Sequence, residues 1–316
     1  MTVPTSHTSS QRIPVLAGPT ASGKSALALE FAQTYPLEIV SADAMMVYRG
    51  MDIGTAKPTL AERRNIPHHL IDILDPDEPF SVAEYVRRAE AKVGEVLARG
   101  KVPLVVGGTG FYIRALSEGL PTVPPADTDV QAALWERLER EGLNALVRDL
   151  EAHNPEDARR TQRNPRRVVR ALEIVQRTGR APSAFARTEP RFSYDKAVLL
   201  PEAQVLKGRI TARTARMFQA GLVEEVRELL ARYPERPTAT QAIGYKEVGE
   251  HLAGRCTQQE AQEAVRSATT RYAKRQRTWF RKEPGAQLYA FGEGNKKLLG
   301  ILRGWLEPYS ADSSMP

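Results

Sequence analysis

The sequence predicts an α/β protein: a P-loop-type parallel sheet core flanked by helices, with an inserted small all-helical domain. Three observations carry that expectation. The apolar run "RIPVLAG" passes through a glycine loop into a helical pattern. Two later apolar runs, "LEIVSAD" and "KVPLVVGGTG", also end in turn residues. Between them and a short returning strand lies a stretch, about 128 to 180, with helical periodicity throughout. The proline-rich "LPTVPPADTD" marks the change, which puts the core at 11–118 and 196–308 and the helical insertion at 119–195.

Each element has a local reason. "KSALALEFAQTY" follows the first glycine loop as a helix, and "LEIVSAD" is a buried strand ending on Asp43. "FSVAEYVRRAEAKVGEVLARG" opens with a capping box, Ser81 and Glu84, stapled by Phe80 against Tyr85, and stops at Gly100. "KVPLVVGGTG" is the third strand, with the helix "FYIRALSEG" beyond it. In the insertion, Asn164 caps a helix with Pro165 at its first position; Val168, Ala171, Leu172 and Val175 form its apolar face. "KAVLLP" returns to the sheet, helices follow at about 203–231 and 257–282, then the strand "QLYAF" and a last helix.

Composition narrows the function classes. A chain of 316 residues with 41% hydrophobic content can bury a substantial core. No apolar run approaches the roughly 18 residues of a membrane span, and the polar opening "MTVPTSHTSSQ" lacks a signal h-region, so a cytoplasmic protein with no membrane partner is expected. The single Cys256 has no partner for a disulfide or a zinc site and reads as structural. Monomer is the simplest oligomeric state. The net charge of +7 is unevenly spread: residues 159–180 hold eight arginines and one acid, Glu173, and residues 260–282 hold seven basic residues against two acidic. Such concentrations favour a polyanionic partner, although a solvated basic face accounts for part of them.

"GPTASGKS", residues 18–25, fits the phosphate-loop pattern residue for residue. Backbone N–H groups of residues 20–24 are expected to wrap a phosphate, Lys24 to place an ammonium on it, and the Ser25 hydroxyl to help hold Mg²⁺. A kinase or ATPase usually adds a strand ending in a metal-holding aspartate, but the strand here ends in "PLVVGGTG", with Thr109 and no carboxylate. Asp72 and Asp75 in "HLIDILD" read as turn or capping residues. Asp43, at the end of the second strand, is placed to take a proton from a nucleophile or, more blandly, to cap its loop. The Met45, Met46, Val47 and Tyr48 that follow are apolar where a loop should be polar, as in a pocket lining.

Eight blocks, "GPTASGKS", "SADAMMVYRGMDIGTAKP", "PHHLIDILDP", "FSVAEY", "VGGTGFYIRAL", "NPRRVVRALEI", "QAIGYKE" and "RYAKRQRTWFR", run in this order through the chain. Together they resemble the tRNA dimethylallyltransferase family, also called isopentenyl-diphosphate:tRNA isopentenyltransferase. The resemblance implies transfer of a dimethylallyl group from dimethylallyl diphosphate to N6 of the adenosine at tRNA position 37, beside the anticodon. It implies Asp43 as the base and Thr109 beside it. Diphosphate would be held by Gly18, Pro19, Thr20, Ala21, Ser22, Gly23, Lys24, Ser25 and Arg213, with Mg²⁺ at Ser25. The anticodon stem-loop would meet Asp43, Ala44, Met45, Met46, Thr109, Gln131, Arg166, Arg167, Val168, Val169, Arg170, and the stretch Gln241, Ala242, Ile243, Gly244, Tyr245 and Lys246.

The chain departs from the family pattern at Ala203, Gln204 and Ala215, where an Asp-Arg pair and an acid are common, and at Gln131, where an arginine is expected. Two other readings of the residues stay open: a P-loop small-molecule or nucleoside kinase, and an RNA-binding module with a vestigial phosphate loop.

Overall fold

A computed structural model describes residues 12–234 and 241–290, with residues 300, 303, 304 and 306. Two compact units divide the chain, residues 1–117 with 191–316 and residues 118–190. The expected last helix falls mostly outside the described residues.

In the first unit the order is β1 (Ile13–Ala17), α1 (Lys24–Ala32), β2 (Leu37–Ser41), α2 (Leu60–Asn65), β3 (His68–His69), α3 (Val82–Ala98), β4 (Val102–Gly107) and α4 (Gly110–Glu118). The second unit holds α5 (Thr128–Glu141), α6 (Leu143–His153), α7 (Pro155–Arg160) and α8 (Pro165–Thr178). The first unit resumes with β5 (Tyr194–Leu199), α9 (Ala203–Gln219), α10 (Leu222–Arg232), α11 (Tyr245–Leu252), α12 (Gln258–Phe280) and β6 (Ala286–Tyr289).

The six strands pair in the order β3-β2-β4-β1-β5-β6, parallel throughout. Both faces of the sheet are covered, which is why its strands are apolar at consecutive positions instead of alternating. Val15, Ala17, Val40 and Val105 join Tyr85, Tyr112 and Phe280 on one face; Leu16, Ile39, Leu104 and Leu199 join Leu27 and Phe31 on the other.

Three local expectations change. Ser81 caps α3 by accepting the Glu84 amide, but the Glu84 carboxylate turns to Arg87 and Arg88, so only half of a capping box forms. Two guanidiniums one turn on outcompete one backbone N–H for that carboxylate. Phe80 meets Tyr112 edge-on, and Tyr112 in turn stacks on Tyr85. The single helix expected near 203–231 breaks at Gly221, whose φ of 98° starts α10.

The second unit packs α5, α6 and α8 around Leu134, Leu146, Leu150, Val168, Val169 and Leu172. Asn164 caps α8 through the Arg167 amide, with Pro165 at its first position. Glu173 is fully buried within this unit. It accepts from Arg170, from the Gln131 amide at 2.7 Å and from the Asp127 N–H at 2.7 Å. Burial pushes its carboxyl up, but these donors outweigh burial and hold it below the usual carboxylate range.

Candidate functional site

Strand order assembles the site. The phosphate loop follows β1, Asp43 follows β2 and Thr109 follows β4, and β4 lies between the other two. Strand spacing of roughly 4.8 Å therefore sets Asp43 about 10 Å across the sheet end from the phosphate loop, with the Thr109 turn between. This is the carboxyl edge, where open parallel sheets bind ligands.

Gly23 precedes α1 with φ 96°, and the first intrahelical bond runs from Leu27 to Gly23. The N–H groups of Lys24, Ser25 and Ala26 are left to a ligand at a helix N-terminus. The expectation that all of residues 20–24 wrap phosphate needs correcting. The Thr20 N–H donates to Gln276 Oε1 at 2.9 Å and the Ser22 N–H to Pro19 O at 3.2 Å, so both amides are engaged within the protein.

A cavity of about 1020 Å³ opens beside the loop, walled by residues 21–27, the 52–60 segment and α9. Six cations line it, Lys24, Lys57, Arg63, Arg209, Arg213 and Arg216, against the acids Glu30 and Asp52. Lys57 and Arg63 are engaged by Asp72, and Lys57 also by Asp52, so these are wall supports. Asp72 and Asp75 are thereby placed: Asp72 is held by Lys57 and Arg63, Asp75 pairs with Arg49 and accepts from Tyr233, and neither acid is among the residues that line the cavity. Glu225 accepts the N–H groups of Asp52, Ile53 and Gly54 and the Tyr245 hydroxyl, which fixes the 52–54 wall.

Lys24 and Arg213 are held differently. Lys24 Nζ donates to Pro19 O at 3.3 Å, and Arg213 donates to Thr20 Oγ1 at 3.1 Å and to Thr55 O at 3.3 Å. Burial lowers Lys24 to a pKa of about 8, opposed by the charge of Asp43 and assisted by that of Arg213. Burial also lowers Arg213, again opposed by Asp43. Two desolvated cations on neutral acceptors make a site that gains from a dianion or trianion.

Asp43 Oδ1 accepts the Met45 and Met46 N–H groups at 2.9 and 3.4 Å, while Thr109 Oγ1 accepts the Ala44 N–H at 3.0 Å. Thr109 therefore acts on the carboxylate's loop. Val47 and Tyr48, read as pocket lining, are core residues.

The remaining expected residues separate by exposure. Arg166 and Arg167 are exposed, whereas Val168 and Val169 lie in the core of the helical unit because α8 is amphipathic. Arg170 and Gln131 are bound to Glu173. In 241–246, Gln241 and Lys246 are exposed, Ile243 is half-buried, and Ala242, Gly244 and Tyr245 are buried. Ala203 and Gln204 are exposed at the start of α9, which has no side-chain cap and no acid in its first turn.

Gln276 and Glu225 were not read from the sequence. A glutamine between Arg275 and Arg277 and a glutamate in "VEEVRELL" carry no local signal; their partners lie 256 and 173 residues away.

A parallel α/β fold with a phosphate loop, half-buried cations resting on neutral acceptors and a carboxylate at a nearby strand end defines a P-loop protein whose site is ready for an anion. The family model described as IPP transferase matches residues 46–283. A protein named tRNA dimethylallyltransferase from Thermus thermophilus is 56% identical over 296 residues, covering 94% of this chain and 98% of that one. One of the same name from Deinococcus radiodurans is 49% identical, covering 87% of this chain and 92% of that one. Among solved structures, the tRNA isopentenylpyrophosphate transferase of Bacillus halodurans is similar, with TM-score 0.69, 37% identity and coverage of 95% of this chain and 98% of that one. A eukaryotic dimethylallyltransferase acting on tRNA gives TM-score 0.76 at 26% identity, covering 95% of this chain and 80% of that one. The chain belongs to the IPP transferase family.

Proposed function

We propose that this chain is a tRNA dimethylallyltransferase that moves the dimethylallyl group of dimethylallyl diphosphate to N6 of adenosine 37, beside the anticodon, and releases diphosphate. The observation that carries this reading is the pairing of Lys24 and Arg213, both held on neutral acceptors beside the phosphate loop, with Asp43 at the next-but-one strand end. Family membership favours it over the kinase.

The N6 lone pair attacks C1 of the dimethylallyl group while the C1–O bond breaks and its electron pair leaves with diphosphate. Lys24, Arg213 and the first-turn amides of α1 oppose the charge that develops on the leaving oxygens. Asp43 takes the proton that N6 loses; its Oδ1 is anchored by the loop amides, which holds the carboxylate in one orientation.

Ser25, exposed on the cavity wall at the first turn of α1, fits a Mg²⁺ bound chiefly through diphosphate oxygens and water. The described residues contain no cluster of three or more His, Cys, Asp or Glu side chains able to hold a metal alone. Mg²⁺ there would supply further charge stabilisation to the departing diphosphate.

Exposed Arg166, Arg167, Gln241 and Lys246 are the side chains we assign to the anticodon stem-loop, with phosphate contacts from the cations. No helix among the described residues is long and apolar enough to cross a membrane, and we place the enzyme in the cytoplasm as a monomer. The test is incubation with radiolabelled dimethylallyl diphosphate, Mg²⁺ and either an anticodon stem-loop RNA or small-molecule kinase acceptors with ATP. Label on the RNA, abolished when adenosine 37 is replaced, is expected. Phosphate transfer from ATP without RNA labelling would establish the kinase instead.

A further inference from the structure

We propose that Gln276 is a positioning residue for the transfer: its carboxamide ties the phosphate loop to the β4 turn and so sets the separation between the leaving-group clamp and the Asp43 side. The inference rests on the function proposed above.

Gln276 is 7% exposed on α12. Its Oε1 accepts the Thr20 N–H at 2.9 Å and its Nε2 donates to Gly108 O at 2.8 Å. A flipped amide would set N–H against N–H and carbonyl against carbonyl, so the two bonds fix one orientation. Each bonded residue leads to one half of the site. Thr20 Oγ1 accepts from Arg213, and Thr109, next to Gly108, holds the Ala44 amide beside Asp43. A hydrogen-bonded chain thus runs from Arg213 through Thr20, Gln276 and the β4 turn to the Asp43 loop, with Gln276 at its centre.

The packing leaves little slack. A Cβ on Gly108 would stand 2.7 Å from Gln276 Nε2 and 3.5 Å from Lys24 Nζ, and one on Gly107 would stand 2.1 Å from Ala42 O. The chemistry of the side chain also fits the position. The position requires a donor toward Gly108 O and an acceptor for Thr20, with the Tyr272 hydroxyl as a further hydrogen-bonding neighbour, and no charge: an ammonium accepts nothing from Thr20, and a carboxylate would rival the diphosphate as counter-ion of Lys24. Gln276 is the neutral residue in a run of Lys274, Arg275 and Arg277.

The test compares Gln276→Met and Gln276→Glu with wild type in single-turnover transfer at saturating dimethylallyl diphosphate and stem-loop RNA. Gln276→Met, lacking both bonds, should be about 10- to 100-fold slower with RNA and diphosphate affinities within about threefold, as expected of misplacement rather than weakened binding. Gln276→Glu should be as slow at pH 8. Once protonated it can donate to Gly108 O and accept from Thr20, and burial raises a carboxyl pKa, so its rate relative to wild type should recover at least about fivefold by pH 6. A pH-independent ratio, or a Gln276→Met variant within about twofold of wild type, would overturn the assignment. Should Gln276→Met fail to fold, the pH ratio of Gln276→Glu decides. Amide exchange in the wild-type protein supplies an independent check: the Thr20 N–H should be protected, and fast exchange would count against the tie. Failure of wild type to label RNA sinks the functional reading; labelling by wild type with a flat ratio sinks only the role of Gln276.

Discussion

The phosphate-loop half of the sheet and the helical unit both concentrate cations, and they hold them in opposite ways. In the helical unit a buried carboxylate, Glu173, collects Arg170 and Arg177. Beside the phosphate loop, Lys24 and Arg213 rest on Pro19 O, Thr20 Oγ1 and Thr55 O, and no ion pair among the described residues joins either to a carboxylate. A cation with its own acid maintains a fold, whereas a desolvated cation on neutral acceptors is kept ready for an anion that arrives. Arginine density in the sequence does not distinguish the two; the position of the acids does.

The sharpest test of that contrast separates chemistry from stability. Asp43→Ala should lower single-turnover transfer by about 10²- to 10⁴-fold, roughly 3–5 kcal/mol, with RNA affinity and melting temperature little changed. Near-normal transfer by that variant would remove Asp43 as the base. Glu173→Ala should do the reverse. Removing it takes the buried acceptor from Gln131, the Asp127 N–H and Arg170, leaving Arg170 only Pro124 O and Arg177 only Pro125 O and Asp127, at a cost of about 3 kcal/mol to the helical unit, while the per-site chemistry of correctly folded enzyme persists. Denaturant unfolding followed by a probe in that unit measures it, and a change under about 1 kcal/mol would mean that Glu173 is not its keystone.

How much of this could be read in the sequence follows the range of the interactions. β1, its glycine loop, β2 and β4 were legible because apolar runs and turn residues are local signals. Lys24 and Asp43 were picked out as candidates from those strand ends, whereas Thr109 entered as a candidate only through the family resemblance. The edge strand β3, two residues long, and the short helices α2 and α11 gave too little periodicity to register. Val168, Val169 and Tyr245, named for RNA through the family resemblance, turn inward because the amphipathic face decides which member of a motif reaches solvent. Gln276 and Glu225 depend on partners far away in the chain, so only the assembled sheet and helices reveal them.

The exposed arginines sharpen the comparison further. Arg166→Ala with Arg167→Ala should weaken stem-loop binding and reduce the slope of log affinity against log salt by about 0.7–0.9 for each phosphate that is no longer neutralised. Arg170→Ala, removing a partner of buried Glu173, should cost stability and leave that slope nearly unchanged. Filter binding across a salt series separates them. Equal slopes for the double variant and wild type would place Arg166 and Arg167 outside the RNA interface.

The smallest expected effect tests the other half of the contrast, the charge held ready. Lys24 titrates near 8 in the folded chain, against its ordinary value of 10.5. Below about pH 8 both states hold the proton, and the folded state bears the full cost of burying it. Between about 8 and 10.5 the unfolded chain binds more protons, so the Lys24 contribution makes stability rise with pH across that window. Lys24→Met should therefore melt a few degrees above wild type at about pH 7 without ligand, and the gap should close toward pH 10.5. Diphosphate reverses the order, because it raises the wild-type melting temperature through the ammonium and leaves the variant nearly unmoved. Its affinity for wild type should fall as pH rises past about 8, where the free enzyme gives up that proton. A Lys24→Met protein less stable than wild type at neutral pH would show that this lysine, like Arg170, supports the fold.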